Sequence, residues 1–212
     1  MGMDYNKFLE NLKKVIEKGL PGWEGQKRMI SYVQKPTEEF IQSQNPKRSS
    51  VLIWLYPEKG KIFTRLILRA DSGGVHGGQV ALPGGRYEES DQNLWNTALR
   101  EANEEIGLPP EEVQFIGALT PLYVIPSNFM VYPFIGAGTH NVPVIVDNIE
   151  VQATIGVEIN MLLDDSLKEM RMLKRRKTSE VINTPCYIFH GHVVWGATAM
   201  MLSEFEELLK RI

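Results

Sequence analysis

The chain has 212 residues, of which 43% are hydrophobic and 23% are charged, and this balance predicts one globular protein with a sizeable core. Its net charge of −3 argues against a surface built for nucleic acid, so we expect a small molecule as its ligand. A single cysteine excludes an internal disulfide, and neither a signal peptide nor an apolar run of about 18 residues is present. These features predict a cytoplasmic protein that does not enter a membrane.

The first predicted element is an amphipathic helix over residues 4–18, which stops at Gly19. Its apolar side chains recur at spacings of three and four residues, so they form one stripe that faces either the core or a dimer partner. Residues 21–46 are interrupted by prolines and have no clear period. We expect residues 1–48 to form a helical extension of the main domain.

Short apolar runs typical of strands begin near residue 50. Residues 51–56 and 63–69 flank a turn at 57–60 and predict a β-hairpin, and a short strand at 79–82 leads into a Gly84-Gly85 turn. Further strands are expected at 113–119, 122–125, 129–136, 142–146, 150–159, 187–189 and 192–195, before a closing helix at 198–209.

A basic run covers residues 168–177. Such a run is usually a solvated face, but an acidic protein with an anionic substrate also needs local cations. The alternative is therefore that this run contacts a substrate phosphate, either in its own subunit or across a dimer. Its cations are Lys168, Arg171, Lys174, Arg175, Arg176 and Lys177.

Three glutamates share one face of a helix that ends at Gly107. Glu104 and Glu105 follow Glu101 by three and four residues, which places the three carboxylates together and costs about 0.2–0.5 kcal/mol per like-charged pair. A bound cation would offset this repulsion, and Mg²⁺ is commonly held by carboxylates together with substrate phosphates. The alternative is a solvated acidic face.

The residues from Arg100 to Leu108 read R-E-A-N-E-E-I-G-L, which resembles the Nudix box, R-E-U-x-E-E-x-G-U with U aliphatic. The box opens at Gly84-Gly85, and Asp91 stands at a position typical of the coenzyme A pyrophosphatase branch. The resemblance implies an α/β fold, namely the Nudix α/β/α sandwich with a mixed β-sheet flanked by helices. We assign residues 49–212 to this domain, with the box at about 84–108.

The resemblance also implies roles for individual residues. Glu101 and Glu105 would be ligands of Mg²⁺ or Mn²⁺, Glu104 a third ligand or the water-activating base, and the Gly85 carbonyl a further ligand. Arg100 is expected to point off the metal face and to orient the glutamates by an ion pair. The residues whose positions match the substrate-binding lead-in of the branch are Arg69, His76 and Gln79.

The implied activity is metal-dependent hydrolysis of a pyrophosphate bond in a nucleoside diphosphate linked to another moiety, with coenzyme A as the first candidate. Ala70, Gly73 and Leu82 depart from the usual residues of the branch, so the substrate stays open. One alternative is an ADP-ribose or dinucleotide pyrophosphatase. Another, from a different class of protein, is a Nudix-fold module that senses a nucleotide without hydrolysing it.

We also expect a homodimer, because symmetric dimers are the commonest oligomers and Nudix hydrolases that resemble this chain frequently pair outside the box. Two helical stripes are candidates for the contact, and each would otherwise pack on the core of its own chain. The first stripe comprises Phe8, Leu12, Val15 and Ile16, and the second comprises Met201, Phe205 and Leu208.

Overall fold

The computed structural model describes residues 4–30, 35–71, 77–145, 149–175 and 178–212. Helix α1 (Tyr5–Glu17) begins after Asp4, whose side chain accepts a hydrogen bond from the Lys7 backbone N–H at 3.2 Å. It ends two residues before Gly19, which has a φ of 124°. The predicted first helix is therefore confirmed to within one residue at each end. Two short helices follow in the proline-interrupted segment, α2 (Trp23–Gln26) and α3 (Glu38–Ser43).

Strands β1 (Lys47–Glu58) and β2 (Lys61–Arg69) form the predicted antiparallel hairpin. Residues 57 and 58 continue β1 instead of turning, and the reversal takes place at residues 59 and 60. The later elements are β3 (Val80–Ala81), β4 (Gly84–Arg86), α4 (Leu94–Ile106), β5 (Gln114–Ala118), β6 (Leu122–Val124), β7 (Phe129–Ala137), β8 (Val151–Glu158), β9 (Lys168–Lys174), β10 (Val181–Phe189), β11 (His192–Val194) and α5 (Gly196–Leu209).

Eight of these strands form one mixed sheet, in which β1 pairs parallel with β7 and antiparallel with β2 and β4. Strand β2 also pairs with β3 and β8, and β7 with β5 and β6. The last strands form a separate antiparallel sheet in the order β11–β10–β9. Strand β10 is the middle strand of this second sheet, since it pairs with both β9 and β11.

Helices cover both faces of the mixed sheet because the side chains of β1 alternate between two hydrophobic clusters. Leu52, Trp54 and Tyr56 pack with α4 on one face. Ile53 and Leu55 pack with α1 and α5 on the other. All five side chains are almost fully buried, and each such burial contributes about 1.5–3 kcal/mol. The predicted sandwich is confirmed.

The two helical stripes proposed for a dimer contact lie inside this core. Leu12 on α1 and Phe205 on α5 have no exposed surface, and both belong to the same hydrophobic cluster. These stripes therefore hold the chain's own helices on the sheet and are not available to a second subunit.

Two predicted elements need correction. The strand expected at 142–146 is wrong for the described residues 142–145, which have no regular structure, although Val142 is buried. The basic run contains strand β9, which the sequence did not predict because side chains on both of its faces are exposed and no apolar alternation results. Within the described ranges, every helix is too short or too polar to cross a membrane.

Candidate active site

The Gly84-Gly85 pair is a short strand and not the predicted turn. Gly84 pairs with Val51 of β1 and has a φ of 151°, and an added Cβ would collide with the backbone of Ser50 and Val51. A Cβ on Gly85 would collide with the carboxylate of Glu101. Glycine at position 84 therefore allows this strand to lie directly against β1, and glycine at position 85 leaves room for the Glu101 carboxylate.

Helix α4 is the predicted glutamate helix. It begins at Asn93, whose side chain accepts a hydrogen bond from the Asn96 backbone N–H at 2.9 Å, and it ends at Gly107 in the left-handed conformation. Ala98 and Ala102 are fully buried against the sheet. Their small side chains let α4 lie close to β1 and β4 and so set the height of the glutamates above Gly84-Gly85.

Glu105 is the most enclosed of the three glutamates, with 2% of its side chain exposed. It accepts hydrogen bonds from the Gly84 backbone N–H at 2.8 Å and from Arg69 Nη1 at 3.1 Å. The pKa of Glu105 rises to about 7 in spite of these two donors, mainly because of burial and in part because of the nearby charges of Glu101 and Glu150. The carboxylate thus lacks full compensation for its charge.

Glu101 and Glu104 share one cation, Arg100. Its Nη2 lies 3.0 Å from Glu101 Oε1, and its Nη1 lies 3.0 Å from Glu104 Oε2. The Glu101 side chain is 14% exposed, and burial raises its pKa, with the charges of Glu104 and Glu150 acting in the same direction. Glu104 differs, because 56% of its side chain is exposed.

Arg100 is held by Asp91, whose position within the box was singled out in the sequence. The buried Asp91 carboxylate accepts hydrogen bonds from Arg100 Nε at 2.6 Å, Thr97 Oγ1 at 2.8 Å and the Glu88 backbone N–H at 2.9 Å. The Arg100 hydrogen bond is the main reason why the pKa of Asp91 falls to about 2. The expected ion pair between Arg100 and the glutamates is present, since its guanidinium bonds two of the three.

The donor set fits a hard divalent cation, because two enclosed carboxylates lie beside the Gly85 backbone and carry uncompensated negative charge. Among the described residues, no three Asp, Glu, His or Cys side chains already converge in a metal-binding arrangement. In this structure the carboxylates contact Arg69, Arg100 and Gly84 instead. The charge of Glu150, which lies outside the box, also raises the pKa of Glu101 and of Glu105. The sequence had assigned Glu150 no role.

A cavity of about 760 Å³ opens beside this cluster. Its polar lining includes the predicted residues Arg69, Gln79 and Gly85, and Arg175 of the basic run, for which contact with a substrate phosphate was the alternative. Arg86 also lines the cavity and had no assigned role. His76 lies outside the described residues. The rest of the cavity is mainly apolar, and its walls come from the segment after α2, from β6 and β7, and from the start of α5. The apolar lining includes Met29, Ile30, Leu122, Val124, Ile125, Phe129, Ile182, Trp195, Met200 and Met201.

Arg86 and the apolar walls were missed for different reasons. Arg86 directly follows the glycine pair, so its place in the sequence was a usable signal. The walls join residues about 170 positions apart, from Met29 to Met201, and no local pattern in the sequence connects them. Of the basic run, Arg175 lines the cavity and also pairs with Glu180 at 3.1 Å, whereas Lys168 and Arg171 bond Glu206 and Glu169.

Comparisons with known proteins agree with this geometry. The model of the NUDIX domain matches residues 46–178, which is more than half of the chain. The chain is 35% identical over 160 residues to proteins described as uncharacterized Nudix hydrolase NudL from Yersinia pestis (strain Pestoides F) and from Yersinia pseudotuberculosis serotype O:1b, and each match covers 74% of this chain and 76% of the relative.

A crystal structure of a Nudix hydrolase from M. smegmatis, RenU, has the same fold. It is similar with a TM-score of 0.55 at 17% identity, and the match covers 79% of this chain and 88% of that chain. The sequence matches and this shared fold agree with the glycine strand, the glutamate helix and the arginine that holds it. The chain therefore belongs to the Nudix family and is a hydrolase of pyrophosphate bonds.

Proposed function

We propose that this Nudix hydrolase cleaves the pyrophosphate of a nucleoside diphosphate joined to a long and mostly uncharged arm, with coenzyme A or a derivative as the first candidate. The observation that supports this proposal is the composition of the cavity lining, which has two parts. One part is three arginines and the Gly84-Gly85 pair, which lies against the glutamate helix, and apolar side chains make up most of the remaining wall. A substrate with a charged centre and one weakly polar extension matches both parts.

The proposed roles of the site residues follow from their positions. Glu101, Glu105 and the Gly85 carbonyl would hold Mg²⁺ or Mn²⁺, with Glu104 as a further ligand or as the base. The metal would supply Lewis-acid stabilisation of the phosphates and a lowered pKa for an attacking water. Arg69 and Gln79 line the cavity, where Arg69 would donate to phosphate oxygens and Gln79 would contribute polar contacts. Arg100 positions Glu101 and Glu104 without contacting the substrate.

The arginines favour a substrate with more negative charge than a simple diphosphate ester. Arg69, Arg86 and Arg175 all line the cavity, and coenzyme A has a phosphate on its ribose in addition to the pyrophosphate. Hydrolysis of the pyrophosphate would give adenosine 3′,5′-bisphosphate and 4′-phosphopantetheine. In an ADP-ribose or dinucleotide substrate, the second half is a sugar or a nucleoside, which matches the apolar walls less well. The sensor alternative is set aside because the chain is a member of a hydrolase family.

A substrate panel tests this proposal. Coenzyme A, ADP-ribose and a diadenosine polyphosphate are incubated with saturating Mg²⁺ or Mn²⁺ and, separately, with a chelator, and the products are separated by ion-exchange chromatography. We expect the highest kcat/KM for coenzyme A and no turnover with the chelator. A higher kcat/KM for ADP-ribose or for the dinucleotide would transfer the assignment to that substrate.

A pair of surface variants locates the uncharged arm. Ile125 lines the cavity and is 43% exposed, so Ile125→Asn changes the wall at little cost to folding. Leu163 is 40% exposed and is not part of the cavity lining, which makes Leu163→Asn a matched control. We expect only Ile125→Asn to raise the KM for coenzyme A several-fold, with the KM for ADP-ribose unchanged. Equal effects of the two variants would contradict the placement of the arm.

We also retain the homodimer as a proposal. Because both helical stripes pack in the chain's own core, the contact between subunits must lie on another surface. Light scattering at micromolar concentration should give twice the chain mass of 24.1 kDa. A mass of one chain would contradict it.

A further inference from the structure

Strand β9 leaves apolar side chains exposed at the edge of a sheet. It is the outer strand of the three-stranded sheet, and Met170 and Met172 in its centre are 59% and 66% exposed. On the neighbouring strand, Val181 shares their face and is 54% exposed. Proteins commonly protect an open edge with charged side chains, and here the lysines stand at the two ends of the strand, while the two central charges, Glu169 and Arg171, have opposite signs and point to the other face.

The hydrogen bonds to β10 determine which backbone groups of β9 face outward. The backbone N–H of Arg175 donates to the carbonyl of Glu180 at 2.8 Å, so Arg175 directs its backbone groups toward β10. In an antiparallel pair these positions alternate along the strand. Residues 173, 171 and 169 therefore also face β10, and the outward backbone groups belong to Lys168, Met170, Met172 and Lys174.

In a symmetric antiparallel contact between two copies of β9, one residue of the strand lies on the two-fold axis. The charges that this axis places opposite each other decide which of the few possible central residues is favourable. Centred on Met170, the two strands place Glu169 of each copy opposite Arg171 of the other, and Lys168 opposite Met172. Glu169 and Arg171 already bond each other at 2.8 Å within one chain, so this centre keeps both intrachain pairs and joins them. Opposite charges across a strand pair stabilise it by roughly 0.2–1 kcal/mol each. This centre brings no like charges opposite each other within residues 168–172.

The neighbouring centres are less favourable. Centred on Arg171, the contact would place Arg171 opposite itself and Lys168 opposite Lys174, and like charges in such pairs are destabilising. Centred on Met172, it would place Met170 opposite Lys174 and require Glu169 to pair with Arg175. That pairing would take Glu169 from Arg171 and Arg175 from Glu180, the partners that they bond within their own chain.

We propose that a second copy of this chain docks along β9 in antiparallel orientation with Met170 on the two-fold axis, so that the two small sheets join into one. The occupant of this edge is the second subunit of the homodimer proposed above, and the inference rests on that proposal. The strand next to β9 lines the cavity through Ile182 and Thr184, so the contact would support a wall of the substrate site.

Charge reversal tests both the contact and its centre. By light scattering, the unchanged protein should have twice 24.1 kDa, and Glu169→Arg or Arg171→Glu should each shift the mass toward one chain. The double variant Glu169→Arg/Arg171→Glu restores opposite charges only in the Met170-centred contact, so we expect it to dimerise again. A single-chain mass for the unchanged protein would overturn the dimer itself. A dimer that either single reversal leaves intact would overturn only this interface.

Cysteine cross-linking gives a second measurement with a matched control. The only native cysteine, Cys186, is buried. Met170→Cys would place two cysteines opposite each other with Cα atoms about 5.5 Å apart, which a disulfide can span. Met172→Cys is as exposed, but the two cysteines would be offset by about 13 Å along the strands. We expect mild oxidation to cross-link Met170→Cys and not Met172→Cys, and the reverse result would overturn the proposed centre.

Discussion

Helices α4 and α5 each carry a pair of glutamates that face the protein, and the two pairs differ in what their carboxylates contact. On α5, Glu204 is fully buried and accepts hydrogen bonds from Gln26 Nε2 at 2.8 Å, Thr120 Oγ1 at 2.6 Å and the Gly22 backbone N–H at 3.1 Å. On α4, Glu105 is about as buried, but it has two donors among the residues that the structure describes, and it lies near other carboxylates.

The pKa of Glu206 on α5 shows the same contrast with Glu105. Burial raises the pKa of Glu206, but hydrogen bonds from Lys210, Tyr187 and Lys168 more than offset this, and the pKa lies below its usual value. Burial of Glu105 is not offset, and its pKa rises to about 7. The α5 carboxylates receive hydrogen bonds from donors of the chain itself and stabilise the fold. The charge of those on α4 is less well compensated, so they can bind a ligand that carries positive charge.

The largest effect is expected for Glu105→Gln, which keeps the size of the side chain and removes its charge. Activity with saturating Mg²⁺ should fall by roughly 100-fold or more, because a metal contributes several kcal/mol to the transition state. The melting temperature without metal should hold or rise, since repulsion with Glu101 is relieved. Steady-state kinetics and thermal melting measure the two quantities. A much lower melting temperature would make Glu105 a structural residue like Glu204.

Glu204→Gln is the matched change on α5, and its effect should appear in stability. An amide cannot accept from all the donors that surround Glu204, so we expect unfolding to become easier by about 2–3 kcal/mol. At temperatures where the variant stays folded, kcat should be unchanged. Urea unfolding and kinetics test the two halves. Loss of kcat with unchanged stability would contradict the distinction between the two helices.

Asp91→Asn tests whether the hydrogen bonds from Arg100 and Thr97 of α4 to Asp91 stabilise the fold, and its effect depends on pH. The folded state lowers the pKa of Asp91 from 3.8 to about 2, so the ionised carboxylate stabilises the fold above about pH 4, and this contribution disappears as the pH falls toward 2. The variant should be less stable than the unchanged protein by about 1–2 kcal/mol at neutral pH, from the loss of buried charge-assisted hydrogen bonds. The difference should vanish in acid. Urea unfolding across pH 2–7 measures it, and a constant difference would contradict the assignment.

Glu104→Gln should have the smallest effect. Its side chain is 56% exposed and pairs with Arg100, and such exposed pairs in a helix contribute about 0.3–0.5 kcal/mol. We expect an unchanged melting temperature and a loss of activity smaller than that of Glu105→Gln. Parallel assays of the two variants decide the order, and a larger loss for Glu104→Gln would identify Glu104 as the principal catalytic glutamate.

Local patterns in the sequence were sufficient for the elements that carry their own signals. Helix α1 has a cap, a period and a glycine stop, and the three glutamates on α4 follow from helical spacing alone. The mixed sheet followed from a recognised motif and was confirmed. Strand β9 was missed because it has no buried face to impose alternation.

Features that depend on long-range packing were out of reach. Whether the apolar stripes of α1 and α5 face a partner or the core is decided by the sheet face on which both helices pack and by no residue within either stripe. The hydrogen bonds that satisfy the Glu204 carboxylate likewise come from Gly22 and Thr120, which lie far from it in the chain. The sequence therefore predicted which glutamates form a cluster, but not which buried carboxylates were already satisfied.

Direct binding of Mn²⁺, followed by electron paramagnetic resonance, tests the central claim that the carboxylates on α4 form a metal site and those on α5 do not. Titration of the unchanged protein and of the Glu204→Gln variant should show the same bound Mn²⁺, while Glu105→Gln should bind it much more weakly. Equal binding by Glu105→Gln and the unchanged protein would contradict the account.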